Sequence, residues 1–195
     1  MLACMLMTAR EAHSQMIELT AAGIVRGTFL TRVVDANTID LFTGVSPRPS
    51  FTIRLARIDA PEHDQPYGDE AHQHLSDLLQ EEYVLSCSAR ETDVDGRWLA
   101  NCGAVNSAMV IDGAAWAYVP PSCQCLASAA CSAFLMPLQE DERQARAARR
   151  GLWALPAAIP PWQWRAIKKA DQRFRRETLS IEGWISDIGP EGQVH

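Results

Sequence analysis

The order of the predicted strands and helices favours a mainly β fold with helices, in which short strands close into a small barrel. Alternating apolar and polar residues predict five short strands, and apolar residues at helical spacing predict about three helices. In chain order these elements form a hairpin, a strand, a helix, two strands, a short helix and a long helix. This order favours a five-stranded Greek-key β-barrel of the OB type, with the helices packed around it.

The five predicted strands are bounded by turn signals. Strands over residues 24–34 and 39–42 flank a turn at residues 35–38, because Asp and Asn favour tight turns. The third strand begins at Phe51 and ends before Pro61, which has no N–H to give to a sheet. The remaining two strands cover residues 83–89 and 97–102, on either side of a turn at 91–96.

The three predicted helices cover residues 67–80, 105–111 and 138–150. Gly113 and Gly151 follow the second and the third, as is typical of residues that end helices. Residues 114–119 are predicted to be extended, 120–137 to form a loop, and the basic segment at 162–176 to form a further helix exposed to solvent.

Composition and charge limit the classes of function. The chain has 195 residues, of which 47% are hydrophobic, and it has no apolar run long enough to cross a membrane. Residues 1–142 hold 8 basic and 19 acidic residues, whereas residues 143–195 hold 10 basic and 5 acidic residues. Because an acidic body does not favour loose adhesion to nucleic acid, any polyanion must be met by a local basic site or by the tail. We expect a monomer.

The first 21 residues are interpreted as a leader. Residues 1–7 are apolar but form a short run without a basic start, and Ala12-His13-Ser14 resembles a signal-peptidase site. One interpretation is a truncated signal peptide, which predicts a secreted or periplasmic protein. A disordered cytosolic leader is the alternative, and it predicts a cytoplasmic protein.

Three charged residues lie where the third strand runs out: Arg54, Asp59 and Glu62. A cation and two carboxylates at one strand end could hold a divalent ion and an anionic substrate together. A straight strand would separate Arg54 from Asp59 by about 17 Å. A shared site therefore requires a sharply coiled or bulged strand. The alternative is a surface strand followed by an unrelated acidic loop.

Seven segments, in order and at the expected spacing, resemble the thermonuclease family of staphylococcal-nuclease-like domains. They are VDANTI (34–39), IRLARIDAPE (53–62), QPYG (65–68), DGRWLA (95–100), VNSAMV (105–110), GAAWAY (113–118) and AARRGLW (147–153). The resemblance covers residues 22–155 and leaves residues 156–195 as a basic C-terminal extension. The family fold is an OB barrel with three helices, which agrees with the fold predicted from the residues.

The resemblance implies calcium-dependent hydrolysis of phosphodiester bonds in DNA and RNA, with low sequence specificity and single-stranded or denatured substrates. Arg54 and Arg97 resemble the two arginines that bind phosphate, and Glu62 resembles the catalytic carboxylate. Asp59 resembles a calcium ligand, and Ala60 would supply a backbone carbonyl. Arg97 has a simpler alternative, since it could pair with a carboxylate of its own turn.

The turn at residues 35–38 departs from the family pattern. The family usually reads Asp-Gly-Asp-Thr, and here Asn37 stands where the second calcium-binding Asp is expected. An amide oxygen can bind Ca²⁺, but the site loses one negative charge, and affinity follows ligand charge. We therefore expect weaker calcium binding and reduced activity. The alternative is that Asn37 is a turn residue without a metal.

Two other functions remain open for a chain with this resemblance. One is a nucleic-acid-binding module that kept the barrel and lost efficient catalysis. The other is an accessory protein, for example one tied to exopolysaccharide production, although no sugar-nucleotide motif supports it. An assay on denatured DNA, with Ca²⁺ and with a chelator, separates an active nuclease from a binding module.

The six cysteines do not predict a zinc site, because no histidine lies at zinc-like spacing from them. A turn centred between Val94 and Asp95 would make residue 90 face residue 99 and Cys87 face Cys102, close enough for a disulfide. Such a bridge would brace the strand that follows Arg97 and would imply an oxidising compartment. Two buried thiols are the alternative, and a bulge would place the cysteines on opposite faces.

Overall fold

The computed structural model describes residues 18–19, 24–27, 30–42, 48, 51–81, 85–119 and 129–187. Most of the predicted leader, at residues 1–17 and 20–21, lies outside these ranges, as do residues 120–128 of the predicted loop. The described strands are β1 (Glu18–Leu19), β2 (Ile24–Gly27), β3 (Leu30–Asp35), β4 (Thr38–Phe42), β5 (Phe51–Leu55), β6 (Ile58–Asp59), β7 (Leu85–Thr92), β8 (Trp98–Asn101) and β9 (Trp116–Ala117). The described helices are α1 (Gly68–Glu81), α2 (Ala104–Ile111), α3 (Ala129–Ala147) and α4 (Pro161–Asp187), with a short 3₁₀ helix at Gly151–Ala154.

Seven of the described strands form one sheet, in the order β1-β2-β7-β8-β5-β4-β3. β5 and β8 run parallel, and the other neighbours in this sheet are antiparallel. β6 and β9 form a separate antiparallel pair. Short strands with helices packed against them confirm the predicted mainly β fold of the OB type. The hydrogen-bonded order runs from β1 to β3 without closing into a ring.

The core lies on β4 and β5, the two strands that lead to the predicted site. Ile39, Ile53 and Leu55 are almost completely buried, and Leu75 of α1 belongs to the same cluster. Burial of each such side chain contributes roughly 1.5–3 kcal/mol. Buried residues alternate with half-buried ones along β5, as the sequence predicts, so Arg54 lies on the face of the strand that the core does not cover.

The predicted loop at residues 120–137 is wrong from Ala129 onward, where α3 begins. Pro137 lies inside this helix, although proline lacks an N–H and disfavours helix interiors. Leu135 and Leu138 are buried, and α3 packs against α2. Packing of these apolar residues therefore outweighs the local preference against a helix.

The basic segment forms a longer helix than the predicted 162–176. α4 begins at Pro161, where a proline is well tolerated, and continues to Asp187.

In the described part of the chain, no helix combines the length and the apolar character that crossing a membrane requires.

A two-residue turn after β5 solves the distance problem posed by the sequence. The chain changes direction at Ala56 and Arg57, and Arg57 adopts a positive φ of 64°. β6 follows at once and pairs with β9, which places Asp59 opposite Trp116. The required distortion of the strand is therefore a tight turn with a left-handed residue.

The side chain of Asn106, in α2, holds this turn in place by hydrogen bonds. Its side-chain Nδ2 donates to the carbonyl of Ala56 at 2.8 Å, and its Oδ1 accepts from the N–H of Cys102 at 2.8 Å. The side chain is 0% exposed. One buried amide thus joins the turn to the end of β8 and to α2. The sequence interpretation gave Asn106 no role, although a polar residue among the apolar residues of a short helix indicates a buried hydrogen bond.

β7 and β8 pair in the predicted register only near the cysteines. The partners are Ser88 with Asn101, Ala89 with Ala100, Glu91 with Leu99 and Thr92 with Trp98. The register shifts between Ala89 and Glu91, so the predicted turn centre and the pairing of residue 90 with Leu99 are wrong. The shift lies between the turn and the cysteines, and Cys87 still meets Cys102. The structure joins these two by a disulfide with an S–S distance of 2.00 Å and a Cα–Cα distance of 4.0 Å.

Replacing Cys87 and Cys102 together by alanine is expected to lower the free energy of unfolding by about 3 kcal/mol, because the bridge constrains a loop of about 15 residues in the unfolded chain. Urea unfolding of the oxidised protein measures the difference. A reducing agent should bring the wild type to the level of the double variant and leave the variant unchanged. Equal midpoints for the oxidised and reduced wild type would contradict a stabilising bridge.

Asn106→Ala is expected to lower the free energy of unfolding by about 2–4 kcal/mol, because the Ala56 carbonyl and the Cys102 N–H lose their partner. Asn101→Ala is the matched control, since Asn101 accepts one hydrogen bond from Gly103 at an exposed position. We expect a loss below about 1 kcal/mol for that control. Thermal unfolding compares the two variants, and similar losses would contradict the bracing role of Asn106.

Candidate active site

Asp59 is the buried anion of the candidate site. Its side chain is 2% exposed, and its Oδ1 accepts from Arg54 Nη2 at 3.1 Å. Its Oδ2 accepts from Nη2 of Arg165, in α4, at 2.7 Å. An ionised carboxylate in an interior is costly unless it is paired and hydrogen-bonded. Two guanidinium groups meet that requirement here, one from the adjacent strand and one from the C-terminal helix.

Asn37 lies beside this carboxylate, in the turn of the β3–β4 hairpin that the sequence predicts. Its backbone N–H donates to Asp35 Oδ1 at 2.9 Å. When its side-chain nitrogen also donates to Asp35 Oδ1 (2.8 Å), its oxygen accepts from Arg54 Nη2 at 3.3 Å, which satisfies both ends of the amide. In the other orientation the nitrogen is 3.4 Å from Asp59 Oδ1. Either orientation places Asn37 in contact with the residues that the sequence assigns to the site.

Glu62 combines a fixed backbone with an accessible carboxylate. Its N–H donates to Gln65 Oε1 at 3.2 Å, and its carbonyl accepts from the Gln65 N–H at 2.9 Å. Gly68, at the start of α1, packs so closely that a Cβ there would lie 2.1 Å from the Glu62 carbonyl oxygen. The Glu62 side chain is 40% exposed, and its Oε1 accepts from Arg165 Nη1 at 2.6 Å. Ala60 is buried between Asp59 and this segment.

Arg97 is held by its own turn. Its Nε donates to Asp93 Oδ2 at 2.8 Å, and its Nη2 donates to Asp95 Oδ2 at 2.8 Å. Burial alone would raise the pKa of Asp93, but hydrogen bonds from the backbone and side chain of Arg97 outweigh it and lower that pKa. The local ion pair named as the alternative for Arg97 is therefore present. Within the described residues, no contact joins Arg97 to Glu62.

Backbone register nevertheless places Arg97 near Arg54. Trp98 pairs with Ile53 in the parallel ladder between β8 and β5. Arg97 directly precedes Trp98, and Arg54 directly follows Ile53. If the parallel ladder is extended by one residue, Arg97 lies opposite the residue two positions before Arg54, on the same face of the sheet. Nη1 of Arg97 has no partner among the described residues and remains a donor on that face.

Arg165 is the site residue that the sequence interpretation missed. The basic segment forms the predicted helix and is largely exposed, but the sequence did not indicate that its first two turns contact the site. The Nη1 and Nη2 atoms of Arg165 bridge Glu62 and Asp59, which lie more than 100 residues earlier in the chain. Burial alone would lower the pKa of Arg165, but hydrogen bonds to these carboxylates outweigh it and raise that pKa. The only sequence signal was a basic cluster after several prolines.

Neighbouring contacts dock α4 at this position. The Trp162 ring lies 5.8 Å from the Tyr118 ring, centroid to centroid. Trp164 Nε1 donates to Asp64 Oδ1 at 3.1 Å, and Lys168 forms an ion pair with the same carboxylate. The hydrogen bond from Lys168, and then that from Trp164, lower the pKa of Asp64. The helix therefore contacts both the rim of the site and its carboxylates.

The donor set fits a hard cation such as Ca²⁺, which prefers carboxylate, amide and carbonyl oxygens. Asp59, Glu62 and Asn37 supply such oxygens, and the Arg165 guanidinium shows that a positive charge is accommodated on the first two. Across the described ranges, no group of three or more His, Cys, Asp or Glu side chains is arranged to hold a metal ion. The described side chains therefore offer two carboxylates and one neutral amide oxygen to a cation.

Comparison with known proteins places this geometry in a family context. The profile of the staphylococcal nuclease homologues matches residues 52–155, more than half of the chain. A micrococcal nuclease of Shigella flexneri is 34% identical over 157 residues, covering 72% of this chain and 80% of the relative. An uncharacterized endonuclease of Escherichia coli O157:H7 is 33% identical over 144 residues, covering 71% and 84% respectively.

A third relative, protein ParB of Escherichia coli, is 34% identical over 149 residues, covering 70% of this chain and 77% of the relative. The matched profile includes β5 except for Phe51, the turn after it and all of the residues from Arg54 to Arg97 that the sequence assigns to the site. Names of nucleases among these relatives support nuclease activity in general and nucleic acid as the substrate class. The chain belongs to the staphylococcal nuclease family.

Proposed function

We propose that this protein is a calcium-dependent nuclease of low sequence specificity that hydrolyses phosphodiester bonds in single-stranded or denatured DNA and RNA. One observation carries the proposal. In a member of a nuclease family, Asp59 and Glu62 share the guanidinium group of Arg165, and Arg54 donates to Asp59. The paired carboxylates suit a divalent ion, and the arginine suits a phosphate.

Glu62 is the residue suited to act on water. Its carboxylate reaches solvent while its backbone is fixed, so it can accept a proton from water or hold that water for attack. Arg54 uses Nη2 for Asp59, which leaves Nε and Nη1 as donors for phosphate oxygens. Arg97 would add its Nη1 from the neighbouring strand. Two guanidinium groups would stabilise the negative charge that develops at phosphorus.

Asp59, Asn37 and the carbonyl of Ala60 are the residues that would hold calcium. When bound, Ca²⁺ would polarise a phosphoryl oxygen and help to position water. Asn37 contributes a neutral oxygen where a second carboxylate would add attraction, so we propose that the protein binds calcium more weakly than is usual in the family.

The Cys87–Cys102 disulfide supports an oxidising location, because disulfides are rare in the cytosol. We propose a secreted or periplasmic protein on this basis, with a leader that ends before β1, because β1 pairs with β2 in the sheet. We also propose that it is a monomer. A cytoplasmic protein remains the alternative if the two thiols are free in the protein isolated from its host.

A second candidate function is a nucleic-acid-binding module with weakened catalysis. Asn37 favours it, because the site lacks one expected charge, and so does the ion pairing of Asp59 and Glu62 with Arg165. Cleavage of denatured DNA that requires Ca²⁺ would exclude this candidate. Binding without cleavage under the same conditions would exclude the nuclease.

Glu62→Gln is expected to reduce turnover on denatured DNA by roughly 10²–10⁴-fold, because the amide cannot accept a proton from water. The measurement is the initial rate of cleavage with Ca²⁺, beside a parallel sample with a chelator in which the wild type should be inactive. Glu70→Gln, on the exposed first turn of α1, is the control and should retain full activity. Unchanged turnover in Glu62→Gln would remove Glu62 from the mechanism.

Asn37→Asp is expected to raise activity by up to about tenfold at limiting Ca²⁺, because a carboxylate adds negative charge to the metal position. The advantage should shrink as Ca²⁺ approaches saturation. Cleavage rates across a calcium titration measure it. If the two proteins show the same calcium dependence, position 37 is not a ligand.

A further inference from the structure

We propose that α4 is an autoinhibitory cap whose Arg165 occupies the cation position of the site, so that docking of the helix and binding of Ca²⁺ exclude one another. The inference rests on the proposed function in taking Asp59 as a calcium ligand and Glu62 as the residue that acts on water. It concerns a helix that begins at Pro161, beyond the end of the family match at residue 155.

The geometry of Arg165 carries the proposal. Nη2 lies 2.7 Å from Asp59 Oδ2, and Nη1 lies 2.6 Å from Glu62 Oε1. Nη1 also lies 3.4 Å from Asp59 Oδ1, so a single guanidinium contacts both oxygens of the buried carboxylate. Calcium ligands lie 2.3–2.6 Å from the ion. A calcium ion on these oxygens would meet a fixed positive charge, and one of the two cations must leave.

The same contact restricts the proposed catalytic residue. Arg165 donates to Oε1, one of the two oxygens through which the Glu62 carboxylate could hold the attacking water. Docked α4 therefore competes both with the metal and with the attacking water.

The attachment of α4 is suited to reversible release. Its described contacts with the rest of the protein lie between Pro161 and Lys168, and most of them are at half-exposed or exposed side chains. Residues 169–177 are exposed, and their ion pairs, Asp171 with Arg175 and Arg173 with Glu177, are internal to the helix. Exposed ion pairs contribute little individually. Undocking therefore breaks one strong contact, between Arg165 and the buried Asp59, and a bound Ca²⁺ would replace the positive charge that Asp59 loses.

Ca²⁺ is the displacing ligand that the site chemistry indicates. Because Arg165 of the helix and the ion compete for Asp59, each must weaken the binding of the other by the same factor. Removal of the Arg165 charge should therefore tighten calcium binding, and added calcium should release the first turns of α4.

Calorimetric titration of the full chain with Ca²⁺, in the absence of nucleic acid, tests the first consequence. Arg165→Gln is expected to lower the dissociation constant roughly tenfold, within the usual range for coupled ligands. Arg176→Gln is the matched control, since it removes the same charge from an exposed position of the same helix and should leave the constant unchanged. Lys168→Gln loosens docking without touching Arg165, and it should give a smaller decrease, which tests the proposal even if Arg165→Gln fails to fold.

Amide hydrogen exchange of the wild type with and without Ca²⁺ tests the second consequence. Residues 161–168 should lose protection when calcium binds, whereas the strands of the core should not. Tighter calcium binding by Arg165→Gln with no cleavage of DNA by any variant would support the cap and overturn the proposed nuclease. Equal calcium affinity in the wild type and Arg165→Gln would overturn the cap and leave the nuclease standing. No calcium binding by any variant would overturn both the cap and the calcium assignment.

Discussion

The buried carboxylate of Asp59 is the constraint on which the candidate site depends. Its side chain is 2% exposed, so its charge requires positive partners, and removal of one partner from a buried pair typically costs 3–5 kcal/mol. Arg54 supplies one partner from β5, and its distance from Asp59 is fixed by the turn between them. Arg165 of α4 supplies the second partner. The proposed competition between Arg165 and Ca²⁺ follows from this requirement for positive charge beside Asp59.

The scaffold gives the carboxylate its position through a few backbone contacts. Arg57 accepts a left-handed conformation so that β6 can leave the direction of β5, and Asn106 secures the carbonyl of the residue before it. Gly68 allows α1 to approach the backbone of Glu62. None of these residues belongs to the proposed catalytic or metal-binding set, yet each sets a distance between residues that do. Substitutions at these three supporting positions could therefore alter the site while the core of the fold is kept.

Charge is distributed in the chain so that a basic helix follows an acidic body. The acidic excess in residues 1–142 includes the carboxylates of the site, and the basic excess beyond residue 142 includes the helix that docks on them. Attraction between the two parts explains why a helix with few buried side chains adopts a defined place. The same attraction holds α4 over the position where a polyanionic substrate would be cleaved.

By itself the sequence determined the fold class, most of the strands and helices, and the residues at the end of β5 that carry charge. These depend on local alternation, turn residues and motif spacing. The sequence also predicted that Cys87 pairs with Cys102. The register shift near Glu91 could not be predicted, because a bulge leaves the alternation of apolar and polar residues on either side of it intact. Only the tertiary structure decided that Ala129 begins a helix and that Arg165 is a partner of Asp59. The first is decided by packing against α2, and the second joins residues 106 positions apart, a pairing that no local pattern encodes.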